Sequence, residues 1–172
     1  MSTLMKTTVT RDAISFRPET ADDAEFLYQL YASTREEELN QTDWTDAMKD
    51  AFLRQQFQAQ TTHYKTHYTA ADYRVILEHG KPVGRLYLNH LSGDVRIMDI
   101  ALIPEARRRG IGELLLNEIL DDAAKRGDSV SIHVEINNPA LNLYERLGFK
   151  QIDTYGVYHL LEWKPTSSAA NE

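Results

Sequence analysis

A short segment that combines arginine and glycine has the residue types best suited to chemistry. Residues 107–112 read Arg-Arg-Arg-Gly-Ile-Gly. Glycine lets a ligand approach the backbone closely, and the unpaired N–H groups at the start of a helix favour a bound anion. The segment therefore predicts a phosphate-binding turn. Taken alone, the three arginines are explained equally well as a solvated basic patch.

Two other kinds of phosphate-binding motif do not fit this segment. A Walker loop requires Lys-Ser or Lys-Thr directly after its second glycine, and neither pair follows here. A dinucleotide-binding turn requires a third glycine, but Leu115 stands at that position. What remains is the pattern Arg-x-x-Gly-x-Gly.

The elements on either side of the turn must position it. Residues 95–103 form an apolar, β-branched run that predicts a strand, and Pro104 ends it because proline cannot donate to a sheet. After the turn, apolar residues from Ile111 to Ala123 recur at helical spacing. Gly127 follows two basic residues and predicts the end of this helix.

A second strand and helix follow. Residues 130–137 alternate apolar and polar side chains, which predicts a half-buried strand. Asn138 is suited to cap a helix, Pro139 to its first turn, and Gly148 to the position after its end. Because a crossover helix joins this strand to the strand at 95–103, we expect the two strands to be parallel.

Two motifs together resemble the Gcn5-related N-acetyltransferase (GNAT) family. They are the Arg-x-x-Gly-x-Gly pattern and residues 138–149, which read Asn-Pro-Ala-Leu-Asn-Leu-Tyr-Glu-Arg-Leu-Gly-Phe. The resemblance is close over residues 83–163 and concerns only the order of elements before that. It implies an α+β (mixed α/β) fold, with a central mixed sheet of about six to seven strands flanked by helices. The parallel strand pair would be splayed around acyl-CoA.

The resemblance also implies an activity and a set of cofactor contacts. The enzyme would use acetyl-CoA as co-substrate and transfer the acetyl group to a primary amine of a small molecule or peptide, by direct attack in a ternary complex. An amide near Leu102 would stabilise the oxyanion. Asn138 would contact the cofactor arm, with Asn137 as the alternative. The implied cofactor-binding residues are Ile100, Ala101, Leu102, Ile103, Arg107, Arg108, Arg109, Gly110, Ile111, Gly112, Glu113, Leu114, Asn138 and Tyr144.

Tyr144 matches the general acid of the family. A tyrosine has a pKa of about 10 and a thiol of about 8.5, so we expect a hydrogen bond to the leaving thiolate more than full proton transfer. The alternative is a tyrosine that only packs beside Leu143 and Phe149. Asp99, His133, Glu135 or a water chain could serve as the base, and we take Asp99 and His133 as the candidates.

The N-terminal half predicts two helices. The first runs from a cap at Thr20 to Arg35, and the second covers residues 44–64. The apolar side we assign to the second helix comprises Met48, Phe52, Gln55 and Ala59.

Length and composition limit the class of protein. The chain has 172 residues, which suits a single domain, here assigned to residues 13–165 between a flexible arm at 1–12 and a disordered tail at 166–172. The absence of cysteine excludes disulfides and thiolate metal sites and fits a cytoplasmic location. A formal net charge of −7 argues against nucleic acid as a partner. No apolar run approaches the roughly twenty residues that cross a membrane.

The sequence also bears on metal binding, on oligomeric state and on functions without catalysis. His63 and His67 are one helical turn apart but have no evident third ligand, so we predict no metal site. The last predicted hairpin, around residues 150–163, could support a homodimer. Two functions without catalysis remain as alternatives, namely an acyl-CoA-binding sensor and a protein-interaction module. The intact glycine motif and Tyr144 argue against both.

Overall fold

The computed structural model describes residues 9–166. Residues 1–8 of the predicted arm and 167–172 of the predicted tail lie outside the described residues. The strands and helices, in chain order, are β1 Ile14–Pro18, α1 Ala24–Leu39, α2 Asp46–His67, β2 Asp72–Glu78, β3 Lys81–Leu91, β4 Asp94–Leu102, α3 Ile111–Arg126, β5 Ser129–Glu135, α4 Leu141–Arg146, β6 Lys150–Tyr155 and β7 Tyr158–Trp163. Short 3-10 helices cover Arg11–Ala13, Ala21–Asp23 and Pro104–Ala106.

The strands form a seven-stranded mixed sheet in the order β1-β2-β3-β4-β5-β7-β6. Strands β4 and β5 are parallel, whereas β1–β2, β5–β7 and β6–β7 are antiparallel. The parallel pair follows from α3, because a crossover is needed to return the chain to the same end of the sheet. The predicted fold class is therefore confirmed.

The chain divides into two compact units. The N-terminal unit comprises Thr10–Tyr87 and Ile100–Arg107. The C-terminal unit comprises Val9, Leu88–Asp99 and residues 108–166. The assignment of residues 13–165 to a single domain stays a prediction. Among residues 9–166, no helix combines the length and the apolar character that a membrane span requires.

Helices α1 and α2 of the N-terminal unit pack through aromatic and aliphatic side chains. Tyr28, Tyr31 and Leu53 are buried, with Phe57 packed against them. The predicted apolar side of α2 is correct at Phe52, which packs against this cluster, while the buried residue of the helix is Leu53. It is wrong at three exposed residues, Met48, Gln55 and Ala59. The true apolar side follows Leu53 and Phe57, which are four residues apart and meet α1.

The carboxylate of Asp23 stabilises the turn that leads into α1. Asp23 accepts hydrogen bonds from the Thr20 amide at 2.8 Å and from the Arg17 guanidinium at 2.7 and 2.8 Å. These bonds lower the pKa of Asp23 to about 2, with the Arg17 hydrogen bond as the largest cause. Thr20 thus lies at the start of the helical segment as predicted, although α1 continues to Leu39 and so ends four residues later than expected.

In the C-terminal unit, β5 and residues 94–99 of β4 each have one buried and one polar face. Val95, Ile97, Val130 and Ile132 are buried, together with apolar side chains of α3 such as Leu115. We call this the helix-side face. Side chains alternate along a strand, so Arg96, Ser131 and His133 share the opposite face, which we call the polar face.

Helix α3 has the bounds that the sequence predicts. It begins after Gly110, with φ of +86°, and ends before Gly127, with φ of +73°. Val9 also belongs to this unit, since it is 8% exposed and its amide donates to the Arg109 carbonyl at 3.4 Å.

Candidate active site

The predicted phosphate turn lies at the start of α3. Arg108 and Gly110 both have positive φ, of +61° and +86°, and lead into the first helical residue, Ile111. Within the described residues no side chain caps this helix end. The amides of Ile111, Gly112 and Glu113 precede the first intrahelical hydrogen bond, so they are the donors that an anion would meet.

The glycines keep the surface of this turn open. A Cβ atom placed on Gly110 or Gly112 would meet no heavy atom within 4 Å. Gly110 needs its positive φ, whereas no such backbone demand applies at Gly112. The space above the first turn of α3 is therefore open to a phosphate. A larger side chain at Gly112 would fill this space without straining the backbone.

Two of the predicted amide donors are already engaged. The Arg107 amide donates to the Pro104 carbonyl at 3.2 Å, and the Leu114 amide donates to the Gly110 carbonyl at 3.0 Å. Both bonds are local, the first closing a 3-10 turn and the second opening α3. These two amides are therefore not available to an anion, and the pyrophosphate contacts assigned to residues 107–114 stay a prediction.

The side chain of Arg107 also differs from the expectation. Its Nε donates to the Leu102 carbonyl at 2.9 Å, and its Nη2 donates to Ser33 Oγ at 3.0 Å. The guanidinium is thus bound to the protein through Nε and Nη2, although the residue remains exposed, and its predicted contact with phosphate stays a prediction. Arg108 is exposed and Arg109 is half-buried.

An ion pair near the turn could not be read from the sequence. Arg146 on α4 lies 3.2 Å from Glu113 in the first turn of α3. A carboxylate beside a phosphate site would repel the ligand, and this pairing offsets its charge. In the sequence this pair is only an acidic and a basic residue 33 positions apart, with no pattern that links them.

The end of β4 has an unusual backbone environment. A Cβ on Gly84 of β3 would collide with the Ala101 carbonyl, so glycine is required for this close approach. Beyond Leu102, the Ile103 amide donates to the Val83 carbonyl at 2.8 Å. The predicted cofactor residues Ile100, Ala101 and Leu102 thus form the last three positions of β4.

The parallel pairing of β4 and β5 stops early. Registered pairs run from Asp94–Ser129 to Ile97–Ile132, although β5 continues to Glu135 in contact with β7. This parting is consistent with the splay that the motifs imply.

Tyr144 is buried in the C-terminal unit. It is 5% exposed, and its ring lies 5.6 Å from that of Phe149 in an edge-on contact. Burial raises its pKa to about 12, and the negative charge of Asp99 adds to this effect. Tyr144 therefore packs as the alternative to a catalytic role predicted. Its raised pKa also keeps the hydroxyl protonated to higher pH than in a free tyrosine.

The two base candidates lie on opposite faces of the sheet. Asp99 shares the helix-side face with Val95 and Ile97, and its charge acts on Tyr144. His133 lies on the polar face, where its Nδ1 is 3.3 Å from Arg96 Nη1. The structure thus brings Asp99 near Tyr144 and places His133 elsewhere.

A polar chain holds His133. Arg96 Nε donates to Ser131 Oγ at 2.7 Å, and Ser131 Oγ donates to Asp94 Oδ2 at 2.6 Å. A guanidinium can only donate, so Nδ1 of His133 accepts and Nε2 carries the proton. Burial, and next the charge of Arg96, lower the pKa of His133. Glu135, the third base candidate, is exposed on the same strand.

Asn138 stabilises the turn before α4, and its predicted contact with the cofactor arm stays a prediction. Helix α4 begins at Leu141 with Ala140 as its cap, so the predicted cap at Asn138 is two residues too early. Asn138 Oδ1 accepts from the Ala140 amide at 2.8 Å and stabilises a turn before the helix. Asn137 is exposed.

The histidine pair on α2 does not form part of a larger cluster. The rings of His63 and His67 are 4.6 Å apart. Across residues 9–166, no three His, Cys, Asp or Glu side chains are grouped so that they could hold a metal ion.

Comparison with known sequences identifies relatives of this site. Residues 24–149 match the family described as Acetyltransferase (GNAT) family. The chain is 38% identical over 66 residues to the probable N-acetyltransferase san of Drosophila melanogaster, covering 37% of this chain and 36% of that protein. It is 33% identical over 86 residues to N-alpha-acetyltransferase 50 of Danio rerio, covering 48% and 46%. The chain thus spans less than half the length of these curated relatives.

Solved structures show the same fold over most of the chain. The PaiA N-acetyltransferase of Thermoplasma acidophilum, in complex with coenzyme A, has a TM-score of 0.66 at 18% identity and covers 88% of this chain and 98% of its own. Naa50 of Arabidopsis thaliana, in complex with the bisubstrate analogue CoA-Ac-MVNAL, has a TM-score of 0.58 at 21% identity and covers 87% and 97%. At such identities the comparison shows a shared fold.

Proposed function

We propose, because the chain belongs to the acetyltransferase (GNAT) family, that it transfers an acetyl group from acetyl-CoA to a primary amine. The observation that carries this proposal is Tyr144, a buried hydroxyl with a pKa raised to about 12 in the unit that also holds the open turn of α3.

The residues at the start of α3 fit the phosphates of such a co-substrate. Three amides are available at Ile111, Gly112 and Glu113, the space above Gly112 is open, and the Glu113 carboxylate is offset by Arg146. The positive end of the helix dipole favours the same charge. When bound, acetyl-CoA would supply an activated acetyl group as a thioester.

The chain's own groups then have separate roles in the transfer. The Leu102 amide donates to the thioester carbonyl oxygen as negative charge develops there. The amine nitrogen forms a bond to the carbonyl carbon while the carbon–sulfur bond breaks. Tyr144 donates a hydrogen bond to the departing sulfur, and the amine's proton passes to Asp99, His133 or water.

His133 is poorly prepared to take that proton directly. Its Nδ1 already accepts from Arg96, and its Nε2 carries a proton. Asp99 is the base candidate whose charge acts on Tyr144, so its carboxylate is the one we favour. We assign the proton to Asp99 directly or through water.

The acceptor that we propose first is the α-amine of a peptide or protein. Support comes from relatives, since one is named as an N-alpha-acetyltransferase and a [Ribosomal protein bS18]-alanine N-acetyltransferase of Salmonella typhimurium is 36% identical over 61 residues. Small-molecule amines form the second group to test. The possible homodimer remains an expectation from the exposed last hairpin.

The test is thiol release from acetyl-CoA in the presence of different amines. We expect turnover with peptides that have a free N-terminus and none with the same peptides blocked by formylation. The control is Gly112→Leu, which fills the space above the turn without a positive-φ penalty. Its CoA affinity, measured by calorimetry, should fall at least about tenfold, given that 1.4 kcal/mol corresponds to a factor of ten.

Two results would contradict the proposal. Calorimetric binding of CoA without turnover for any peptide, polyamine or lysine acceptor would indicate a sensor. Absence of CoA binding by the parent protein would indicate an interaction module.

A further inference from the structure

We propose that Arg107 is a positioning residue that clamps the peptide group after Leu102, so that the Leu102 amide is held ready to polarise a thioester carbonyl. The first arginine of the motif would therefore serve the reacting centre and not the phosphates. This inference rests on the proposed acetyl transfer.

The guanidinium of Arg107 joins two elements of the N-terminal unit. Nε donates to the Leu102 carbonyl at the end of β4, and Nη2 donates to Ser33 Oγ on α1. Ser33 is itself oriented, because its hydroxyl donates to the Leu30 carbonyl at 2.6 Å. With its proton used in this way, Ser33 Oγ offers a lone pair to Arg107. The fork of donors therefore has a fixed anchor on the helix.

The peptide group between Leu102 and Ile103 is held at both ends. Its carbonyl accepts from Arg107 at 2.9 Å, and its N–H donates to the Val83 carbonyl at 2.8 Å. The preceding carbonyl, of Ala101, lies against the backbone at Gly84, where even a Cβ atom has no room. Leu102 is thus fixed from both sides, and the direction of its own N–H is set.

An amide that stabilises the negative charge developing on a thioester oxygen must be held in a fixed direction. Preorganised amides cost no reorganisation when charge appears on the oxygen, which is why they lower a barrier more than a mobile donor does. Two directed bonds to a carbonyl and a hydroxyl also demand the planar fork of arginine, since lysine supplies a single point charge. The geometry therefore predicts that Lys cannot replace Arg107.

The competing interpretation is that Arg107 contributes only charge to the phosphate site. That role predicts weaker CoA binding on loss of Arg107, a dependence on salt, and recovery with lysine. The clamp predicts none of these. It predicts a defect at the acetyl carbonyl while the CoA portion binds as before.

The experiment uses Arg107→Gln, Arg107→Lys and Ser33→Ala, with Arg108→Gln as the charge-matched comparison. Calorimetry gives CoA affinity, and acetyl-CoA labelled with ¹³C at the carbonyl reports polarisation of the bound thioester by its chemical shift. Thermal unfolding of each variant checks that the fold is kept. We expect the two Arg107 variants to lose the bound carbonyl shift while CoA affinity changes less than about threefold, well under the factor of ten that 1.4 kcal/mol represents.

Kinetics give a second readout in the same proteins. Loss of a full oxyanion donor typically costs about 10²- to 10³-fold in kcat, so loosening this donor should cost about 10- to 100-fold. Ser33→Ala should shift the carbonyl signal in the same direction but less, because one of the two bonds remains. Arg108→Gln should change CoA affinity and leave the carbonyl shift of the bound molecule as in the parent.

The outcomes separate this inference from the proposed function. A parent that turns over, with an Arg107→Lys variant equal to it in kcat and carbonyl shift, overturns the clamp alone. A parent that shows the carbonyl shift and its loss in Arg107→Gln, yet no turnover, supports the clamp and overturns the transfer. A parent that binds no acetyl-CoA overturns both.

Discussion

Replacement of Tyr144 by phenylalanine gives the sharpest test of how the sulfur leaves. The change removes the hydroxyl and keeps the ring against Phe149, so the free energy of unfolding should change by no more than about 1 kcal/mol. The raised pKa, about 12, lies about 3.5 units above that of a thiol near 8.5. At 1.36 kcal/mol per unit, full proton transfer to the thiolate is uphill by about 5 kcal/mol. In the proposed reaction, the hydroxyl is therefore expected to act as a hydrogen-bond donor and not as a proton source.

The expected loss follows from the value of such a bond. Hydrogen bonds to charged groups contribute about 1.5–3 kcal/mol, which corresponds to about 10- to 150-fold in kcat. Affinity for acetyl-CoA should stay nearly constant, because the thiolate charge exists only after the ground state. The parent should also keep its kcat up to about pH 10, since burial prevents Tyr144 from ionising below that pH.

The assay is single-turnover thiol release with a cognate peptide, so that the chemical step is measured. The direction of the pH effect on stability gives an independent check. With its pKa raised from about 10 to about 12, Tyr144 stabilises the fold fully below pH 10 and loses this contribution as the pH rises toward 12. Equal single-turnover rates for parent and Tyr144→Phe would refute the role at the sulfur. A variant that unfolds would show that the hydroxyl is structural.

Two further predictions concern groups with perturbed pKa values. Arg96→Met should raise the pKa of His133 in an NMR titration, because it removes a cation 3.3 Å from Nδ1, and an unchanged titration would contradict the hydrogen-bonded arrangement. Asp23 has its pKa lowered from 3.8 to about 2, so its stabilisation, about 2 kcal/mol, is present above pH 4 and lost as the pH falls toward 2. Urea unfolding of Asp23→Asn should therefore differ from the parent at pH 7 and match it near pH 2; a constant difference at both values would refute this.

The strand, turn, helix and strand between residues 95 and 137, and the bounds of α3, could be predicted because they depend on local chemistry. A proline after β4, glycines at both ends of α3 and a strict apolar period each act over a few residues. The parallel pair followed from the crossover rule. The motifs also placed a turn at Gly110, where the structure has one, while the cofactor and catalytic roles read from them stay predictions.

The contacts that modify the site could not be predicted, since they join residues far apart in the chain. Arg107 reaches Ser33 across 74 positions, and Arg146 reaches Glu113 across 33. Neither pairing has a local signal. The prediction for the apolar side of α2 was partly wrong for the same reason. Contact with α1 decides which side of α2 is buried, and the apolar spacing of α2 alone fits more than one side.

The buried position of Val9 affects how the protein should be prepared. A truncation at the predicted domain start, residue 13, would remove a side chain that is 8% exposed and an amide bonded to Arg109 in the phosphate turn. An affinity tag fused just before Val9 would enter the molecule beside that turn, where a polyhistidine or acidic tag brings its own charge. Fusion after Thr166 leaves Val9 and its hydrogen bond to Arg109 unchanged, so it is the better choice for CoA titrations.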